Sequence, residues 1–131
     1  MKQFYKLGFL LGLVALISSF SYQNSLDEIV VAMKTGNAGT LSKYFDNYVD
    51  ISLPDKSNSY SKSQASIIMK VFFSSNAVKT FDIKHKGENG GNQFCIGILQ
   101  TRSGSYRTTI FLKQKGDRQY LQEIRVENAS S

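Results

Sequence analysis

Residues 78–127 read VKTFDIKHKGENGGNQFCIGILQTRSGSYRTTIFLKQKGDRQYLQEIRVE, and the punctuation of this stretch decides the fold. Interruptions at Asn89 to Asn92, Ser103 to Ser105 and Gly116 to Asp117 divide it into four runs of alternating apolar and polar residues. Period-two alternation marks a half-buried strand, and turns this short join only antiparallel neighbours, so the stretch predicts a four-stranded meander. Asn89 and Gly90 are expected to supply the positive φ angles of the first hairpin. One face collects Phe94, Ile96, Ile98, Tyr106, Ile110, Leu112, Tyr120, Ile124 and Val126, and it should hold the helices. The other keeps Cys95, Leu99, Phe111 and Leu121 among Arg107, Thr109, Lys113, Glu123 and Arg125, more apolar than a solvated face requires. Either sheet twist and the chain's own cover account for that excess, or a homodimer joined through the sheet does.

Upstream the period changes to that of helices. Ser25 with Glu28 forms a capping box, Leu26, Ile29, Val30 and Met33 give one apolar stripe, and Gly36 closes the helix. Asn37 caps a second, shorter helix through Leu41, Tyr44 and Phe45 that ends near Asp46 and Asn47. Val49, Ile51 and Leu53 alternate in a first strand from Tyr48 to Leu53, Pro54 ends it, and Asp55 to Ser59 read as a loop. Ser61 and Gln64 make a second capping box, opening a helix whose stripe is Ala65, Ile68, Met69 and Phe72. The fold class is therefore α+β, in the order ααβαββββ.

The N-terminus has its own grammar. Lys2 and Lys6 precede an apolar run from Leu7 to Ile17, which ends in Ser18, Ser19 and Ser21. This order of basic, apolar and small residues is that of a secretory signal peptide over residues 1–21, with the mature chain beginning near Tyr22. A membrane span needs about 20 apolar residues, and this run is shorter. Residues 22–131 are then expected to form one exported domain, periplasmic or secreted, with no cysteine at its start to carry a lipid anchor. Cys95 is the only cysteine, so no disulfide can form within the chain and stability must come from a packed core. The expected mature chain holds 14 basic against 10 acidic side chains. That mild excess is scattered, unlike the clustered basic face of a nucleic-acid binder, so no nucleic-acid partner is expected.

Three stretches carry a resemblance: YFDNYVDISLPDKSNSYSKSQA (44–65), HKGENGGNQFCIGILQTRSGSYRTTIFLKQKG (85–116) and LQEIRVE (121–127). They resemble the exported Bacteroidota family known as domain of unknown function 4783, and the element order is similar to the nuclear-transport-factor-2-like, or cystatin-like, superfamily. The resemblance implies three helices packed into the concave face of a curved antiparallel sheet. It transfers no catalytic residue, and the superfamily holds isomerases, dehydratases, transport factors and inert binding domains, so function must be argued from the site.

His85 is the only histidine, and strand alternation puts it on the side of Phe81 and Ile83. Facing inward it could serve as an acid or base near neutral pH; as a strand-end residue beside a glycine turn it is merely solvated or hydrogen-bonded. The residues assigned to a ligand pocket between helices and sheet are Tyr44, Phe72, His85 and Tyr106, tyrosine offering an apolar ring with a polar tip. The glycine-rich Asn89 to Asn92 segment joins two strands instead of opening a helix, so it is a hairpin and not a phosphate cradle. One histidine and one cysteine make no metal set, and no cofactor is expected. Arg102, Arg107, Lys113, Lys115 and Arg125 could form a basic patch for an acidic polymer, but Glu123 and Glu127 dilute it toward cross-strand ion pairs. The leading expectation is a non-enzymatic module that binds a small molecule or an envelope protein. The alternative is an acid–base enzyme on a small apolar substrate, with His85 as base and Tyr106 polarising the substrate.

Overall fold

A computed structural model describes residues 25–129, so the signal-peptide reading and the boundary near Tyr22 lie outside the described residues. Helix α1 spans Ser25–Thr35 and α2 spans Ala38–Ser42. Strands β1 (Phe45–Leu53) and β2 (Lys56–Ser61) form a hairpin, and α3 (Lys62–Ser75) follows. The meander is β3 (Val78–Asn89), β4 (Asn92–Thr101), β5 (Gly104–Lys115) and β6 (Arg118–Asn128). No described helix is long and apolar enough to cross a membrane.

The caps at Gly36, Asn37 and Ser61 behave as the sequence predicts, whereas Ser25 is itself the first helical residue of α1 and the Glu28 carboxylate accepts from the Tyr44 hydroxyl instead of closing a capping box. Asn37 Oδ1 accepts from the Thr40 amide at 3.0 Å, and Gly36 turns the chain out of α1 at φ 61°. At α3 the capping box closes in both directions: Ser61 Oγ accepts from the Gln64 amide, and Gln64 Oε1 accepts from the Ser61 amide, each at 3.3 Å. The second helix is shorter than expected, because Phe45 and Asp46 already belong to β1.

The six strands lie in the order β2-β1-β6-β5-β4-β3, and β1 runs parallel to β6, which makes the sheet mixed. The stretch read as a loop after Pro54 is instead β2, paired from Ser61 opposite Tyr48 to Lys56 opposite Leu53. Its sequence KSNSYS hides the strand because an edge strand with little burial needs no apolar alternation. The first meander turn also sits one residue later than expected. Gly90 and Gly91 hold the positive φ angles, 59° and 86°, while Asn89 pairs with Asn92 across the strands.

The helices pack on one face, where Leu41, Phe45, Met69, Leu99, Ile110, Leu112, Leu121 and Ile124 are almost wholly buried. Burying each such side chain contributes roughly 1.5–3 kcal/mol. The parity of β4 is the reverse of the sequence reading: Cys95 and Leu99 face the helices, and Phe94, Ile96 and Ile98 face outward. This run is apolar on both sides, so alternation cannot orient it; pairing of Cys95 with Ile110 and of Leu99 with Tyr106 does. Leu121 also turns inward, because a register shift beside Phe111 and Leu112 lets Leu121 and Ile124 share one face. Ile110, Leu112, Ile124 and Val126 face the helices as expected.

Gly97 marks a close approach. A Cβ there would lie 2.8 Å from the Phe81 ring and 2.8 Å from the Asp82 carbonyl, so the ring lies across a position only glycine can fill. Register shifts also occur between Val78 and Thr80, Ile83 and His85, and Phe45 and Asp50, the devices that bend a sheet around its helices.

Candidate functional site

The four residues assigned to a pocket fall in three places. His85 comes after the irregularity between Ile83 and His85, which inverts the parity of the rest of β3. Ile83 is opposite inward-facing Gly97, but His85 is opposite outward-facing Ile96, and its side chain is exposed. Its neighbour Lys86 instead reaches toward α1, with Nζ 3.9 Å from Asp27.

Phe72 and Tyr106 meet edge to face at 5.8 Å, joining the end of α3 to β5. The Tyr106 hydroxyl donates to Asn76 Oδ1 at 3.2 Å, and Asn76 Nδ2 donates to the Phe72 carbonyl at 2.9 Å. The pair with Asn76 is a packed aromatic joint with its polar tip satisfied.

Tyr44 stands in a different setting. It lies just before β1, where its carbonyl accepts from the Leu121 amide at 2.6 Å and its hydroxyl donates to Glu28 on α1. Those two anchors fix it at the end of the sheet where the β5–β6 turn approaches the start of α1. A cleft of about 540 Å³ opens there, lined by Ser25, Lys43, Tyr44, Asp117, Arg118, Gln119 and Tyr120. A volume of that order is ordinary for a small-molecule site.

Tyr120 links this cleft to a buried charge. Lys115 Nζ lies 5.9 Å from the Tyr120 ring centroid and 2.6 Å from Asp46 Oδ2. Gln122 Nε2 donates to the same oxygen at 2.8 Å, and the Asn47 amide donates to Asp46 Oδ1 at 2.8 Å. Burial alone would raise the Asp46 carboxyl. Hydrogen bonds from Gln122, Lys115 and the Asn47 amide, with the Lys115 charge, outweigh it and hold the group at about 2. Asp46 is therefore a fixed anion at neutral pH. Cys95, by contrast, is pushed up to about 11 by burial against a smaller opposing effect of Lys86.

Sequence reasoning missed Lys43, Arg118, Gln119 and Asp46. They come from opposite ends of the chain, and no local pattern joins Asp46 to a glutamine 76 residues away. Of the residues weighed as a basic patch, Lys115 is engaged by Asp46, and Arg125 Nη2 meets Glu123 at 3.2 Å, an ion pair between two residues of the one strand β6 instead of the cross-strand pairing that was expected. Among the described residues no three histidine, cysteine, aspartate or glutamate side chains converge as metal ligands would.

A family model described as Domain of unknown function (DUF4783) matches residues 26–127. A crystal structure of a DUF4783 family protein from Bacteroides uniformis is 30% identical, with a TM-score of 0.79 over 82% of this chain and 100% of that one. A protein of unknown function from Cytophaga hutchinsonii, described as like nuclear transport factor 2, shares the fold at 11% identity and a TM-score of 0.58, covering 80% of this chain and 87% of that one. An uncharacterised cystatin-fold protein from Novosphingobium aromaticivorans does so at 10% identity and a TM-score of 0.58, over 80% of this chain and 96% of that one. No curated protein matches. The expected resemblance holds at family and fold level alike: the chain belongs to the DUF4783 family, whose function is unknown, and has the nuclear-transport-factor-2-like, cystatin-like architecture.

Proposed function

We propose that this chain is a non-enzymatic binding module that holds a small organic anion in the cleft between Tyr44 and Tyr120. The composition of the cleft carries the reading. Two tyrosines offer flat apolar surface, Gln119 offers a neutral donor and acceptor, and Lys43 and Arg118 outnumber the single carboxylate, Asp117. The neighbouring Asp46 is locked in its ion pair, so at neutral pH it has no proton to give. The acid–base alternative required His85 and Tyr106 to meet over one substrate. In the fold His85 points out from the sheet, and Tyr106 packs on the helix side with its hydroxyl on Asn76.

The basic, apolar and small order of residues 1–21 supports export, so the proposed place of binding is the periplasm or the exterior. A homodimer through the sheet remains part of the proposal, with its apolar residues reassigned. Phe94, Ile96, Ile98 and Phe111 are the outward-facing, partly exposed side chains.

The cleft is tested by following tyrosine and amide NMR signals during titration with small aromatic carboxylates and their uncharged amides. Saturable shifts at Tyr44 and Tyr120 are expected for the carboxylates, and Arg118→Gln should weaken them about tenfold, the worth of one charge-assisted hydrogen bond. Equal response to the uncharged amides, or shifts that bypass the cleft, would refute the assignment.

A further inference from the structure

The two open edges of the sheet differ in kind. Edge strand β3 has two register irregularities and carries Lys79, Lys84 and Lys86, devices that discourage pairing with another strand. Edge strand β2 pairs with β1 in an uninterrupted register and, among the described residues, has no neighbour on its other side. Along Lys56–Ser61, every second residue therefore turns its backbone N–H and C=O away from the sheet.

Beside this free edge runs a groove of about 280 Å³, lined by Asn58, Ser59, Tyr60, Gln64, Ile67 and Ile68. Asn58 and Tyr60 face α3, because their partners Ile51 and Val49 lie fully buried on the helix side. On α3, Ile67 is 62% exposed and Val71, one turn further on, 55%. An apolar slot next to unpaired strand groups suits an added strand: the main chain bonds to the edge, and alternate side chains enter the slot.

Charge selects the occupant. Strand β2 and helix α3 carry Lys56, Lys62 and Lys70 and no carboxylate, with Asp55 in the turn before β2 and Asp50 opposite Ser59 on β1. None of these three lysines makes an ion pair among the described residues. We propose that β2 and α3 form a docking site for an extended acidic peptide segment of a partner protein, added as a seventh strand with an apolar side chain in the Tyr60–Ile67–Ile68 slot. A second copy of this chain suits the edge poorly, since it would bring another set of the same lysines alongside. The site lies on different elements from the tyrosine cleft and stands independently of it.

The probe is a short fluorescent peptide alternating glutamate with isoleucine, titrated into the full chain. Expected are saturable anisotropy, affinity that falls as salt rises, and NMR shifts confined to residues 56–61 and the Ile67 and Ile68 methyls. Ile67→Ser, at an exposed position, should weaken binding about tenfold through lost apolar contact. The double variant Lys56→Gln with Lys62→Gln should flatten the salt dependence. Methylating one alternate set of peptide amides should abolish binding, while methylating the other set should spare it. Equal affinity for a peptide with lysine in place of glutamate, shifts away from β2, or no binding would overturn the proposal. So would a concentration-dependent dimer of the unliganded chain that Ile67→Ser dissolves, because it would give the edge to a second copy.

Discussion

Asp46 shows how a single residue can be strongly placed without being catalytic. It is 7% exposed, and its carboxylate collects a lysine, a glutamine and a backbone amide. Its pKa is depressed from 3.8 to about 2, so its stabilisation is present in full above pH 4 and lost as pH falls through 2. Urea denaturation of Asp46→Asn should therefore show a loss of about 1–2 kcal/mol at neutral pH that shrinks toward pH 2, Lys115 being half exposed and partly screened. A difference that stayed constant with pH would mean that the carboxylate's charge contributes nothing. None of this was legible in the sequence, where Asp46 reads as the end of a helix. The side expected for His85 was reversed for a related reason: one irregularity upstream changed its face, and parity propagates along a strand.

At the scale of elements, the starts of α2 and α3 were legible and the faces of β4 were not. A capping box is a four-residue code satisfied by its own backbone, so Ser61 and Gln64 announce α3 wherever it packs. Ser61→Ala should cost about 1 kcal/mol in chemical denaturation. An unchanged midpoint would show that the pair of 3.3 Å bonds is idle. Strand β4 posed the opposite problem: FCIGIL is apolar on both sides, so only its partners decide which side is the core. Strand β2 escaped because its serines, asparagine and lysine are those of a loop, and its pairing with β1 supplies what its side chains do not signal.

At the scale of the whole molecule, the sheet offers the cleft at one end, the bare β2 edge on one flank and an outer face with Phe94, Ile96, Ile98 and Phe111. If that outer face joins two copies, sedimentation should show a dimer that grows with concentration and that Phe111→Arg disrupts. Monomer throughout would remove the homodimer from the proposal. The amino-acid sequence by itself determined the caps of α2 and α3, the four-strand meander and the family, because each is written in neighbouring residues: a cap in four, a strand in its alternation, a hairpin in its glycines. Only the tertiary structure decided which side of β4 is core, that β1 lies parallel to β6, and that Tyr44 and Tyr120 share a cleft. Those outcomes depend on pairings between residues far apart in the chain, and a register shift of one position reverses them while leaving every local pattern intact.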